Sequence, residues 1–453
     1  MDEKATALKT ELDKEDSAQS SIVAKQSDNK TLKVTYKGYE TTINTETGSM
    51  TALAKSSTMP PTPPVASLPT GAGTTPYLPS SSYKQLPGTG LVADVQNGIT
   101  EGLVITDAED PADTTNPGNE YVWIEVPNDG TGPTYTTVTS VEEDSVDYYT
   151  NIEEALIAYA GFAKTGSSDY VTTRCGWKDE WYDSTSHTYD GSKWYKYNGN
   201  EDTSYSESGN ENDSTKCGLT YSEYNTLKQK MLKSIYKNGG FWIGRYEAGT
   251  TIARGANTDS ISNLKPLSKL SAYTFNYVTC SQAQELAGRI DNIDSTYSTS
   301  LMFGIQWDLV IKYLENKAVS SSELKSDSIT WGNYYNSQFD IDRGEYAIAS
   351  PWNEFQSYTE ETANKVTVEG GSSRKIANTQ VLLTTGASDT NCKKNIYDLA
   401  GNVFEWTLEH STKYGMRSTL PCACRGGSFI GNSSYAASSR YGHPGLGTRE
   451  IRI

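Results

Sequence analysis

Ile396-Tyr-Asp-Leu-Ala-Gly-Asn-Val-Phe-Glu-Trp406, followed further along by Arg425-Gly-Gly-Ser-Phe429, is the stretch on which the reading of this chain turns. Gly401, Gly426 and Gly427 allow backbone conformations and close approaches that a Cβ would block. Phe404 and Trp406 supply large apolar area beside those glycines. Arg425, and Arg440 in the later Ala437-Ser-Ser-Arg-Tyr441, suit pairing with buried carboxylates or carbonyls. Read as physics, Gly401, Asn402, Glu405, Trp406, Arg425, Gly426, Gly427 and Arg440 form a scaffold motif whose first task is to hold a fold.

Upstream of this motif the chain carries helix and strand signals in alternation. Leu103-Val-Ile-Thr and Tyr121-Val-Trp-Ile-Glu-Val-Pro read as strands. Asn151 with Glu154 three residues on predicts a capped helix whose Ile152, Ala155, Leu156 and Tyr159 share a face. Thr220 and Glu223 form a second capping box, with Leu227, Met231 and Ile235 as the apolar stripe and Gly239-Gly240 as the stop. Phe241-Trp-Ile-Gly-Arg-Tyr-Glu is a strand entering a turn. Short helices are expected from Ser281 and around Ile305, Leu309, Val310 and Tyr313. Residues 170–217 are polar and aromatic, a long insertion without a core of its own.

The N-terminal part reads differently. Residues 1–57 are expected as a small unit, with a helix over Ala5–Lys14 and a hairpin across Thr31–Ile43. Residues 58–88 are rich in Pro, Ser, Thr and Gly and are expected as a linker or stalk. The large domain is then 89–453, with 407–453 as its C-terminal stretch.

Composition limits the function classes. The net charge is -17 over 453 residues, a field that repels phosphate backbones and argues against nucleic-acid binding. No apolar run reaches bilayer length, and no signal-peptide apolar core follows Met1. An anchor or leader removed upstream would leave the same opening. Six cysteines and three histidines include no CxxC pair, so a zinc site would need unusual spacing. Cys175 and Cys217 flank the polar insertion and could close it in an oxidising compartment. Cys422 and Cys424 are read as buried small hydrophobes or as partners of Cys392. There is no P-loop, no Gly-x-Ser-x-Gly elbow and no His-Glu-x-x-His.

Four stretches in order, Tyr121–Pro127, Phe241–Glu247, Ile396–Trp406, and Arg425–Phe429 with Ala437–Tyr441, resemble the formylglycine-generating enzyme (sulfatase-modifying factor) family. The resemblance covers roughly Leu103 to the C-terminus and implies an α+β, C-type-lectin-like fold. The oxidases of that family carry two cysteines just after the Gly-Gly-Ser-aromatic run. Here Phe429-Ile-Gly-Asn-Ser-Ser-Tyr-Ala-Ala-Ser-Ser-Arg440 has none, so soft Cu(I) would lack its thiolates, and no enzymatic role is expected. Family members hold calcium by the Asn-Val-aromatic-Glu run, so the resemblance admits a structural calcium at Asn402 and Glu405; no cofactor is required.

The chain is most similar to the variable proteins of diversity-generating retroelements, in which adenine-targeted mutagenesis rewrites the end of this same domain. That similarity implies a ligand- or receptor-binding protein on a cell surface, with a protein or receptor as partner, or alternatively an adhesin of a phage tail. Asn, Ser, Tyr and His suit adaptable recognition. Tyr414, Phe429, Gly431, Asn432, Tyr435, Ser439, Tyr441 and His443 are the expected displayed contact positions, with Tyr and Phe as anchors. The alternatives are a metal-dependent oxidase of the family and a calcium-dependent glycan-binding adhesin.

Overall fold

The computed structural model describes residues 23–28, 31–36, 39–44, 54–55, 68–71, 73–91, 102–115, 117–160, 182–183, 188–189, 219, 221–256, 258–290, 298–325, 331–348, 350–357, 374–410, 422–431, 437, 440–443 and 451–452. The chain divides into two compact units, Met1–Ser67 and Leu68–Ile453.

In the first unit, β1 (Val23–Asp28), β2 (Thr31–Tyr36), β3 (Tyr39–Asn44) and β4 (Ala54–Lys55) form one sheet in the order β1-β2-β3-β4. Tyr36 lies opposite Tyr39, so the hairpin expected across Thr31–Ile43 is formed. A lone hairpin is marginal in water, and the two outer strands extend it to four. The helix expected over Ala5–Lys14 lies outside the described residues.

The second unit is α+β. Its first sheet contains β5 (Lys84–Gln85), β6 (Val104–Thr106), β7 (Glu120–Glu125) and β10 (Gly240–Gly244), all antiparallel, in the order β10-β7-β6-β5. The sequence between β7 and β10 supplies two helices, α1 (Val146–Ala160) and α2 (Tyr221–Asn238), and a small pair, β8 (Tyr182–Asp183) with β9 (Thr188–Tyr189). The rest of the polar insertion at 170–217 lies outside the described residues.

α1 buries Ile152, Ala155 and Leu156 as expected, with Tyr159 half-buried. Its start is earlier than the Asn151–Glu154 motif predicts. Ser145 is the capping residue, its hydroxyl accepting from Tyr148 N at 3.1 Å, with Asp147 in the first turn. Asn151 is interior and spends its amide on Thr137 O. In α2, Met231 and Ile235 are buried and Leu227 is half-buried. Gly239, at φ +70°, ends the helix by donating to Ile235 O at 2.9 Å. Lys228 of α2 and Glu153 of α1 meet at 2.7 Å with both side chains largely buried.

Three further helices follow, α3 (Cys280–Ala287), α4 (Gly304–Asn316) and α5 (Ser321–Lys325). α3 has a full capping box between Thr279 and Gln282. One continuous core joins Val104, Val122 and Ile124 of the sheet to Leu156, Ile235, Trp307 and Val310 of the helices. It continues into Trp406, Leu408 and Cys424 near the C-terminus.

The remaining strands are short. β11 (Gly249–Thr250) pairs with β12 (Tyr273–Thr274), β13 (Phe339–Asp340) with β16 (Arg374–Lys375), and β18 (Cys392–Lys393) with β19 (Ile396–Tyr397). β14 (Glu345–Ala347) is flanked by β15 (Gln356–Ser357) and β17 (Leu382–Leu383). The last sheet holds β20 (Phe404–His410), β21 (Cys422–Arg425), β22 (Arg440–His443) and β23 (Ile451–Arg452) in the order β22-β21-β20-β23. β20 and β23 run parallel, the other pairs antiparallel.

Leu68 onward belongs to the second unit, which corrects the linker expected over 58–88. Thr75 N donates to Asn238 O at 2.7 Å, and Trp242 Nε1 donates to Tyr77 O at 2.8 Å. Tyr77 meets Trp123 edge-on with ring centroids 5.8 Å apart, and Tyr83 meets Tyr121 at 5.7 Å. Composition reports that this segment is extended. It does not report that its tyrosines find aromatic partners on the sheet. Among the described residues no helix is long and apolar enough to cross a membrane.

Candidate functional site

The scaffold motif is a buried polar knot. Asn402, at φ +55° and 0% exposed, donates its backbone N–H to Asn333 O at 2.9 Å. Its Oδ1 accepts from Asn333 Nδ2 at 2.9 Å and from Leu383 N at 3.1 Å. Its Nδ2 donates to Glu247 Oε1, Thr274 Oγ1 and Leu383 O. One asparagine thus ties together the loop at Asn333, β12, β17 and the start of β20. Gly401 lies at φ +77°, and a Cβ there would stand 2.5 Å from Asn333 O. That close approach, with Gly401 N bonded to Gly426 O at 2.9 Å, explains the glycine.

Beside the knot, Arg425 is wholly buried and paired twice. Nη1 donates to Glu409 Oε2 at 2.7 Å and Nη2 to Asp308 Oδ1 at 2.8 Å. Its guanidinium lies over the Trp307 ring at 5.4 Å. Trp307 Nε1 donates to Ala437 O at 2.8 Å, and Trp406 Nε1 to Val278 O at 3.0 Å. Each buried ring thus carries its polar tip to a carbonyl. Asp308 lies in the helix around Ile305 that sequence located, and its pairing with Arg425 spans 117 residues. No periodic signal marks such a partner.

Two further carboxyls are buried nearby. Burial holds Asp398 up at about 7, against the opposing hydrogen bond from Gly386 N. Burial, with Asp398 as a like-charged neighbour, raises Glu405 well above the usual carboxylate range.

Of the two side chains expected to hold a structural calcium, Asn402 has its oxygen already engaged. Asn402 Oδ1 already accepts two N–H groups, which use both lone pairs of a carbonyl oxygen. Among the described residues, no three His, Cys, Asp or Glu side chains are grouped to hold a metal. Cys424 and Cys392 are not joined in a disulfide. Cys424 is a buried small side chain in the core, the other expected role.

The displayed positions divide. Phe429 is not displayed: it is 0% exposed and packs with Ala347, Trp352, Leu382 and Val403. Its ring meets Trp352 edge-on at 4.7 Å, and its N–H donates to Asn402 O at 2.8 Å. Sequence placed the aromatic correctly beside the glycines but could not show the tryptophan that covers it. Gly431 is half-buried and is the last described residue before position 437. It is held from both sides, donating to Ser428 O at 3.1 Å and accepting from Tyr335 N at 3.0 Å. Tyr414, Asn432, Tyr435 and Ser439 lie outside the described residues. Arg440, Tyr441 and His443 fall in β22, opposite Arg425, Cys424 and Cys422 respectively.

The loop Trp331–Ser337, which sequence left without a role, is the other half of this root. Asn333 Nδ2 reaches Val381 O at 2.8 Å, Tyr334 OH reaches Gly426 O at 2.8 Å, and Tyr335 holds Gly431. After Gly431 the chain is next described at Ala437 and then in β22. No family model, curated protein or solved structure matches the chain.

Proposed function

We propose that this chain is a binding protein. In this reading its C-terminal stretch is a diversified recognition surface on a C-type-lectin-like scaffold, as in the variable proteins of diversity-generating retroelements. One observation carries the reading: the Asn-, Ser- and Tyr-rich segment 432–439 is rooted at Gly431 in a buried polar knot and returns in β22, at the edge of its sheet. Sequence change between the two roots, outside the buried Ala437 that belongs to the core, would leave the scaffold's own packing alone, which separates folding from specificity. The Tyr, Asn, Ser and His content supplies rigid aromatic contact together with adaptable hydrogen bonding. The partner class is a protein or receptor met outside the cell. The oxidase reading is weaker because the segment after Phe429 carries no cysteine up to Arg440.

Deep sequencing of the 3′ end of the gene across one natural population tests this. The expected result is substitution at adenine-containing codons after Trp406, with Gly426, Gly427, Phe429 and Arg440 unchanged. A uniform end, or change scattered over the whole chain, would overturn diversification and leave a binder of fixed specificity or an enzyme.

A further inference from the structure

Register sorts the residues of the N-terminal sheet onto two unlike faces. Leu32 lies opposite Ile43, Val34 opposite Thr41 and Tyr36 opposite Tyr39. Strand residues alternate between faces, so these six share one side. Ala24 of β1, opposite Val34, joins them. The other side takes Lys33, Thr35, Glu40 and Thr42, with Lys25 of β1 opposite Lys33. A sheet with one apolar face needs a second layer over it.

That layer can come from a second copy or from the same chain, and dimensions decide between them. Three strands of six residues make a face about 10 Å wide and about 20 Å long. Its flat footprint of about 200 Å², even doubled for side-chain relief, falls short of the roughly 800 Å² that each partner of a stable complex buries. One α-helix, about 10 Å across, covers it. The sequence just before β1 carries a helix signal of that size. Ala5, Leu8 and Leu12 recur at three and four residues, a single apolar stripe in the polar segment 5–14. Ten residues make a helix about 15 Å long, and one so short needs tertiary packing to persist. Residues 17–22 connect it to β1, and six residues reach up to about 20 Å, more than the about 10 Å between packed layers. Charge agrees: residues 1–16 hold three lysines against six carboxylates, residues 23–55 five lysines against three. The first compact unit itself runs from Met1. We propose that residues 5–14 dock as a helix, through Ala5, Leu8 and Leu12, on the face of the N-terminal sheet that carries Leu32, Val34 and Ile43. The unit is then a closed two-layer module, and this face takes no second copy. Nothing in it depends on the reading of the C-terminal stretch.

Photocrosslinking of the full chain tests this, with p-benzoylphenylalanine in place of Leu8, or in place of Thr10 on the opposite side of the helix as control. Unlabelled and 15N-labelled protein are mixed in equal amounts, and crosslinked peptides are identified by mass spectrometry. Position 8 should crosslink to residues 31–44 of its own chain, at least about tenfold more than position 10 does. Crosslinks joining labelled to unlabelled chains, crosslinks confined to residues 68–453, or equal yields from both positions overturn the proposal. Position 12 is a second probe on the same stripe, and no crosslink to residues 31–44 from either also overturns it. In parallel, Leu8→Asp with Leu12→Asp should lower amide-exchange protection at Val34, in the central strand β2, by at least about tenfold. Trp123 N–H, bonded to Leu103 O in the second unit, should stay level, and Thr10→Asp should change neither. Protection at Val34 within about twofold of wild type in the double variant counts against docking outright.

Discussion

Phe429→Ala distinguishes a core residue from a displayed one. The ring is 0% exposed, covered by Trp352 and by Ala347, Leu382 and Val403. An aromatic side chain removes about 150–250 Å² from water. At about 25 cal/mol per Å² that is about 4–6 kcal/mol. The unfolded chain already shields part of this area, which lowers the figure by about 10–40%. The result, about 3–5 kcal/mol, matches the range found for Phe→Ala in packed cores. A displayed contact residue would change stability by no more than about 0.5 kcal/mol. Urea denaturation followed by both tryptophan fluorescence and far-UV circular dichroism measures the difference, provided the two probes coincide. Trp352→Ala, alone and combined with Phe429→Ala, then isolates the edge-on pair, with an expected coupling of about 0.5–1.5 kcal/mol. A loss below about 1 kcal/mol for Phe429→Ala, or strict additivity with Trp352→Ala, would refute the packing argument.

Two other perturbations follow from the buried charges. Arg425→Met strands Asp308 and Glu409 without their shared cation and should cost about 3–5 kcal/mol in the same denaturation assay. Adding Asp308→Asn and Glu409→Gln should recover most of it, and a single variant losing under about 1 kcal/mol would show that the triad is not coupled. Asp398 keeps its proton up to about 7 in the fold, whereas the unfolded carboxyl releases it near 3.8. Between those values the folded state binds more protons, so stability falls as pH rises, by a total on the order of 4 kcal/mol. Asp398→Asn can still accept from Gly386 N. It should flatten that part of the urea-midpoint profile, and an unchanged slope would count against Asp398 as its source.

Local signals in the sequence were legible where the information is itself local. The stripe Leu227, Met231, Ile235 and the stop at Gly239 locate α2 because helical period and a positive-φ glycine are properties of a few neighbouring residues. The strand at Tyr121–Val126 and its partner at Phe241 were legible for the same reason. Asn151–Glu154 misled because a capping box can occur by chance inside a helix, and Ser145 was already filling the role. Residues 68–88 misled because Pro- and Ser-rich composition describes backbone preference, while Tyr77 and Tyr83 are fixed by rings far along the chain. The motif at Gly401–Trp406 and Arg425–Phe429 identified the knot. Its partners Asn333 and Asp308 lie across long intervals with no pattern to mark them, and Glu247 closes the stretch Phe241–Glu247 without its bond to Asn402 being legible there. Lys375 was silent for the opposite reason: a lysine in sequence reads as surface, and only the fold shows it enclosed.

The parallel pairing of Ile451–Arg452 with Phe404–Glu405 has a consequence for how errors in the gene are treated. The strand that completes the last sheet is translated after the whole candidate recognition segment. A frameshift or stop codon anywhere in that segment removes β23 and leaves one side of β20 open, with unmet backbone donors and acceptors at a bare sheet edge. A substitution within the segment does not. If the segment is the proposed recognition surface, the fold penalises an altered reading frame there more heavily than an altered letter outside the buried Ala437.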